Sequence, residues 1–381
     1  MKSLTPYLLS DVIIPNQRQV SINSFDEYKL IKLRLYQNGV ELRENKKGNE
    51  LGSKQYIARQ GQFIISKIDA RNGAMGIVPE NLNEAVVTGD FLLFDFNEKI
   101  VDGKYFDFYT RLNSFDRQCK HCSEGSTNRV RLKVDKFLNL SISLPSIPEQ
   151  QRIVSKIVSV KQRIGQIEKL RVEQTKDIKN LLYSKYTNLI EVAEWLPMKE
   201  VAPIIRRDVK LDEEALYPEL GIRCFGKGTF HKPALTGLEV ATKKIFQIKK
   251  GDLVFSNVFA WEGGIAVAKE EDNDRYGSHR FISCVADKEK ALEEFLCFHF
   301  LSPKGLEDIN ACSPGGAGRN KTLGLDKLMK IKIPVPDITL QEEFVELLHK
   351  VNAIKEQHTE TERELTQLMP ALLDKAFKGE L

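Results

Sequence analysis

The sequence predicts a mixed α/β chain in which two globular domains of similar fold are separated by two long helices that pair as an antiparallel coiled coil. Two observations carry this reading: the chain repeats itself at a period of about 190 residues, and each repeat closes on a run with heptad spacing. The expected boundaries are a first globular domain at 1–147, a central helix at 148–188, a second globular domain at 189–338 and a terminal helix at 339–381.

The repeat is sparse but in phase. With a shift of 189 residues, Val12, Arg18, Val20, Tyr28, Arg34 and Gly39 fall on Val201, Arg207, Val209, Tyr217, Arg223 and Gly228. A shift of 190 lays residues 61–73 (GQFIISKIDARNG) on 251–263 (GDLVFSNVFAWEG), each a strand pattern followed by a glycine turn. The same shift lays Cys122, Ser123, Gly125 and Arg129 over Cys312, Ser313, Gly315 and Arg319, and a shift of 191 matches 135–145 with 326–336. Two small insertions account for the drift. Strands are expected near 62–68, 91–96 and 138–144 and at their counterparts 252–258, 281–285 and 329–335.

The helices follow from apolar spacing. After Pro148, a residue suited to a helix start, Ile153, Ile157, Val160, Ile164 and Ile167 recur at alternating steps of four and three, and Ile178 and Leu181 resume the series. Phe344, Leu348, Val351, Leu365 and Leu372 form the matching seam of the second repeat. Polar residues interrupt both, at Arg171 and Gln174 and around Lys355, His358 and Glu362, as register-fixing positions do. A helix over 149–186 would be about 57 Å long at roughly 1.5 Å per residue, longer than a domain is wide. Its apolar stripe needs cover, and the matching helix supplies it. An intervening globular module lets the chain return antiparallel, so the expected arrangement is two heads on a spacer rod related by a pseudo-twofold axis.

Composition narrows the class. Hydrophobic residues make up 41% and charged residues 29%, with 14 prolines, which leaves little room for a long disordered tract. The first thirty residues lack a secretory apolar core, and no later run approaches the roughly 20 residues that span a bilayer, so a cytoplasmic protein with no membrane contact is expected. Six irregularly spaced cysteines read as thiols. A net charge of +4 permits a polyanionic partner without requiring one. Cys119 and Cys122 flank His121 in a C-x-x-C, but no second pair follows at finger spacing, so no metal is expected.

Residues 125–157 (GSTNRVRLKVDKFLNLSISLPSIPEQQRIVSKI) read as a glycine turn, a basic stretch, an apolar strand and a proline-led helix start. This run resembles the junction between a target-recognition domain and the conserved helical region in specificity (S) subunits of type I restriction-modification systems. The tail at 376–381 (AFKGEL) resembles that family's ending, and the order domain, helix, domain, helix is its architecture. The second junction departs from the pattern: residues 336–342 read PDITLQE and lack the proline-glutamate-glutamine form of the first, so a locally different helix start is expected there. The resemblance implies that each globular domain reads one half of a split double-stranded DNA target and that the helices set the gap. It also implies that two methyltransferase subunits dock on the helices and that restriction subunits can join. The chain would then hold no catalytic residue and no cofactor, S-adenosylmethionine belonging to the methyltransferase and ATP with magnesium to the restriction subunit.

A duplicated reader separates two kinds of contact, because shared residues serve phosphate or fold while base contacts differ with the half-site. Arg34 with Arg223, Arg129 with Arg319, and Arg131 with Lys321 are the shared cations; solvated or salt-bridged surface residues are the alternative for each. On the same scaffold Lys67, Asp69, Arg71 and Asn72 face Asn257, Phe259, Trp261 and Glu262, with Trp261 read more readily as core. The glycine-rich stretch 315–322 cannot be written as a phosphate-binding P-loop. Neither the Asn/Asp-Pro-Pro-aromatic pattern of base methyltransferases nor a nuclease acidic cluster is present, which argues against an enzyme. A coiled-coil adaptor that joins proteins without reading DNA is the remaining alternative.

Overall fold

The computed structural model describes residues 4–52, 54–125, 130–240, 243–315 and 321–380, so Arg129 and Arg319 lie outside the described residues. The chain forms two compact units, Met1–Leu170 with Thr359–Leu381, and Arg171–His358. Each unit combines one globular head with part of both long helices.

In the first unit a four-stranded antiparallel sheet runs in the order Ile13–Pro15, Phe91–Phe96, Phe63–Ser66, Met75–Ile77. Phe63–Ser66 is buried at every residue, as its uninterrupted apolar run requires. A five-stranded sheet runs Arg18–Val20, Gln55–Ala58, Ala85–Val87, Glu27–Leu33, Val40–Lys47. Its last two strands are a hairpin ribbon that alternates exposed and half-buried residues over much of its length, the mark of a strand pair with one wet face. The core gathers Phe63, Phe94, Phe106, Phe115 and Phe137. The helix Gly103–Thr110 covers it and is capped by Asp102, whose carboxylate accepts from the Tyr105 N–H at 3.0 Å.

The second unit repeats the plan. Its four-stranded sheet runs Ile204–Ile205, Phe281–Cys284, Leu253–Ser256, Ile265–Val267. The other sheet runs Thr229–Thr236, Leu216–Ile222, Tyr276–Ser278, Ile245–Gln247, with a single bridge from Asp208 to Phe246 where the first unit has an edge strand. In both units a parallel pairing sits inside this sheet, Leu30 with Val86 and Glu219 with Tyr276.

The central helix spans Ile147–Glu191 and the terminal helix Ile338–Phe377. In the first unit Ile153, Val154 and Ile157, near the start of one, share the core with Leu373 and Ala376, near the end of the other. In the second unit the rings of Tyr186 and Phe344 lie 6.3 Å apart, and Arg171 Nη1 donates to the His358 carbonyl at 3.5 Å. One helix steps back fifteen residues while the other steps forward fourteen, so this pairing is antiparallel.

The seam needs one correction. Ile153, Ile157, Phe344 and Val351 are buried, and Val160, Ile164, Ile178, Leu348, Leu365 and Leu372 are half-buried. Ile167 is 38% exposed, and Leu181 is 46% exposed whereas Leu182 is 6% exposed. A straight helix drifts against a strict seven-residue repeat, and here the buried stripe moves forward by one residue to meet the head, where Leu182 and Tyr186 join its core. The second helix start also differs from expectation: the helices begin at the equivalent Ile147 and Ile338, and buried Gln341 bonds the Lys290 and Pro336 carbonyls as Gln150 bonds those of Ile100 and Pro145. Among the described residues no helix is long and apolar enough to cross a membrane.

Candidate nucleic-acid interface

The ribbon hairpins end in tight turns. Arg34 N–H donates to the Gly39 carbonyl at 3.0 Å and Arg223 N–H to that of Gly228 at 2.9 Å. Inside these turns Tyr36 (φ 60°) and Gln37 (φ 51°), and Phe225 (φ 61°) and Gly226 (φ 63°), adopt left-handed backbone. Such paired positive φ belongs to hairpin turns that favour Asn-Gly, so Tyr and Gln there are strained.

The sequence-predicted glycine turns lie directly against these tips. They are short 3-10 helices, Ala70–Asn72 and Ala260–Glu262, closed by left-handed Gly73 (φ 72°) and Gly263 (φ 73°). Tyr36 N–H donates to the Asn72 carbonyl at 2.7 Å and Gln37 N–H to Gly73 at 2.9 Å; Phe225 and Gly226 repeat this on Glu262 and Gly263 at 2.7 and 2.9 Å. The divergent loop is therefore the seat of the ribbon tip.

Beneath the tips the two units use different chemistry. In the first, Gln37 donates to Asp116, Arg111 Nη1 donates to the Gln37 carbonyl at 3.2 Å, and Arg111 pairs with Asp107 at 2.8 Å. In the second, Gly226, Leu301, Leu306 and Cys297 occupy the matching positions, and a 710 Å³ apolar cleft opens beside Phe225, Trp261 and Phe298.

The other candidates fall into two groups. Lys67 and Asn257 make the same backbone bonds, to Asp90 and Leu132 at 2.7 Å each and to Arg280 and Leu323 at 2.8 Å each. Their side chains differ. Lys67 Nζ donates to the Gly89 carbonyl at 2.8 Å, while Asn257 Oδ1 is buried with no partner among the described residues. Arg131 joins the first group and pairs with Asp90 at 2.6 Å. Lys321 joins the second, standing 4.8 Å over the Trp261 ring, whose Nε1 donates to Val258 at 3.0 Å. Trp261 packs on the head core. Asn72 bonds Asp69 at 3.2 Å, and Arg71 is half-buried on the turn.

Arg34 and Arg223 lie on the ribbons, apart from these groups in chain position and in partners. Arg34 bonds Glu41 at 2.6 Å and holds that carboxyl below its usual range. Arg223 donates to the Thr229 carbonyl and lies 4.9 Å over the Phe230 ring. Asp90 and Arg280, and the tip aromatics Tyr36 and Phe225 at 73% and 74% exposure, escaped the sequence reading. A signal for the last pair existed: the 189-residue shift sets one on the other. Among the described residues no group of three His, Cys, Asp or Glu is placed to hold a metal, and burial pushes the Cys119 and Cys122 thiols up.

Comparison with known proteins follows the repeat. The family model described as "Type I restriction modification DNA specificity domain" matches twice, at residues 10–175 and 194–367. No curated protein matches the sequence. Among solved structures, the HsdS subunit from Thermoanaerobacter tengcongensis is 19% identical with a TM-score of 0.65, covering 99% of this chain and 97% of that one. A chain from a structure describing complex assembly and conformational transition of the type I R-M system is 20% identical, with a TM-score of 0.67 and coverage of 99% and 98%. At these identities the likeness is one of fold.

Proposed function

From the premise that this chain belongs to the type I restriction-modification DNA specificity family, its domain present twice, we propose that each head reads one half of a bipartite DNA target. The chain is a DNA-recognition subunit. The observation that carries the bipartite reading is the duplication itself: two heads of one plan seat their ribbon tips on turns of closely similar backbone and divergent side chains. Common backbone suits a common docking mode, and divergent side chains suit different half-sites.

In this proposal the long helices set the gap and dock two methyltransferase subunits, and restriction subunits can join the assembly. The chain itself does no chemistry: S-adenosylmethionine is held by the methyltransferase and ATP with magnesium by the restriction subunit. Adding or removing a helical turn within residues 149–186 changes the gap and spares the half-site sequences.

The test is to co-express the chain with the methyltransferase subunit encoded beside it and map genomic methylation by single-molecule sequencing, with and without the chain. A split motif that depends on the chain is the expected result. An unchanged methylome from an assembled complex would instead favour a protein-joining adaptor.

A further inference from the structure

Resting on that reading, we propose that Tyr36 and Phe225 are matched apolar wedges, tip aromatics that press into the base stack of duplex DNA, one in each half of the target. Strain is the first ground. Tyr36 and Phe225 hold left-handed φ, and Gln37 does so beside Tyr36, where L side chains are disfavoured. A strained backbone persists only when its surroundings over-determine it, and such positions gather at functional sites. Here two backbone hydrogen bonds in each unit pin the tip, reinforced by Arg111 and Gln37 in the first and by close packing of Gly226 on Leu301 in the second.

Exposure is the second ground. A turn built to fill a core would bury its ring, yet Tyr36 and Phe225 stand about three-quarters in solvent at the end of a two-stranded ribbon. Both ribbons are net basic: residues 27–47 carry six Lys or Arg against three Glu, and 216–236 carry three against one, although Lys32 and Arg34 pair with Glu41, Arg43 with Glu44 and Lys232 with Glu219. That charge favours a polyanion over an apolar protein surface.

Identity is the third. The aromatic is shared while the turn residues beneath it diverge, so the ring serves both half-sites alike. The hydroxyl of Tyr36 has no counterpart in Phe225, and the ring they share has no donor or acceptor with which to read a base edge. What it offers is insertion at a deformable step, as apolar wedges do in other bent duplexes.

The experiment uses the full chain assembled with its methyltransferase subunits on a duplex carrying its target, with 2-aminopurine scanned through each half. The wild type is expected to brighten one position per half-site. Tyr36→Ala and Phe225→Ala should each quench their own half and weaken binding roughly tenfold, with the salt slope unchanged because no phosphate contact is lost. Tyr36→Gly separates structure from function: it relieves the left-handed strain, so the melting temperature holds or rises while affinity falls as in the alanine variant. Tyr36→Phe and Phe225→Tyr should retain both.

Affinity within twofold of wild type for the alanine variants, or no 2-aminopurine response from a wild-type complex that methylates its target, overturns the inference. So does failure of the variants to bind methyltransferase subunits with DNA affinity intact, which would assign the tips to protein docking. A wild-type complex that methylates no split motif sinks the functional reading first and the wedge with it.

Discussion

Gln150 and Gln341 are both fully buried and make the same three hydrogen bonds in their respective halves. The Gln150 amide donates to the Ile100 and Pro145 carbonyls at 2.9 Å each, and its oxygen accepts from the Asp102 N–H at 2.9 Å. Gln341 donates to Lys290 and Pro336 at 2.9 and 2.7 Å and accepts from Leu292 at 3.0 Å. Each glutamine ties the last strand, the loop ahead of the head's helices and the first turn of the long helix together.

Replacing either glutamine strands two carbonyls and an amide away from water. Gln150→Ala and Gln341→Ala are each expected to cost about 2–4 kcal/mol, since buried unsatisfied groups carry their full desolvation penalty. Denaturant titration measures the cost, and faster amide exchange at Asp102 or Leu292 locates it. A loss under about 1 kcal/mol would mean the loop finds other partners.

The corrected seam distinguishes neighbours. Leu182→Ala should destabilise the second unit by about 2–4 kcal/mol, whereas Leu181→Ala should cost less than about 1 kcal/mol. Thermal melts of the two variants decide it, and equal losses would restore the strict heptad.

His299 is wholly buried, with Nδ1 2.5 Å from the Tyr186 hydroxyl and Nε2 without a partner among the described residues. Burial pushes its pKa down to about 4 from 6.5. Because the folded pKa lies below the unfolded one, the unfolded chain takes up the proton first on acidification. Stability is full above about pH 6.5 and falls as pH drops towards 4, by roughly 2–3 kcal/mol. Melting temperature against pH should slope through that window in wild type and less in His299→Gln; parallel slopes would place the titration elsewhere.

Arg131 pairs with Asp90, and the pair is exposed enough to add little stability. Asp90→Asn is expected to leave folding nearly unchanged and to tighten DNA binding by the assembled complex, steepening the logarithmic salt dependence by about one unit. An unchanged slope would place Arg131 away from phosphate.

Much of the fold was legible because repetition and periodicity survive in one dimension. The paired phases of Gly61–Gly73 and Gly251–Gly263, read as strand plus glycine turn, are strand plus 3-10 turn in both heads. The strand expected at 91–96 is Phe91–Phe96. The departure at the second junction misled because proline and glutamate are prominent in sequence, while the residue that holds the helix start is the glutamine common to both.

The candidate interface was less legible. Arg34 and Arg131 read as shared cations with a surface ion pair as the alternative, and sequence could not choose, because Glu41 lies across the ribbon from Arg34 and Asp90 is forty-one residues from Arg131. The repeat sets Tyr36 on Phe225, but their place at the ribbon tip shows only where residue 36 meets residue 72.

By itself the sequence determined the duplication, the order of domain and helix, and the family, because these rest on patterns that local spacing preserves. Tertiary structure alone decided which residue of Leu181 and Leu182 faces the core, which cations are already paired, and which ring stands in solvent at the ribbon tip. Those depend on contacts between distant segments, and no local spacing encodes how such segments meet.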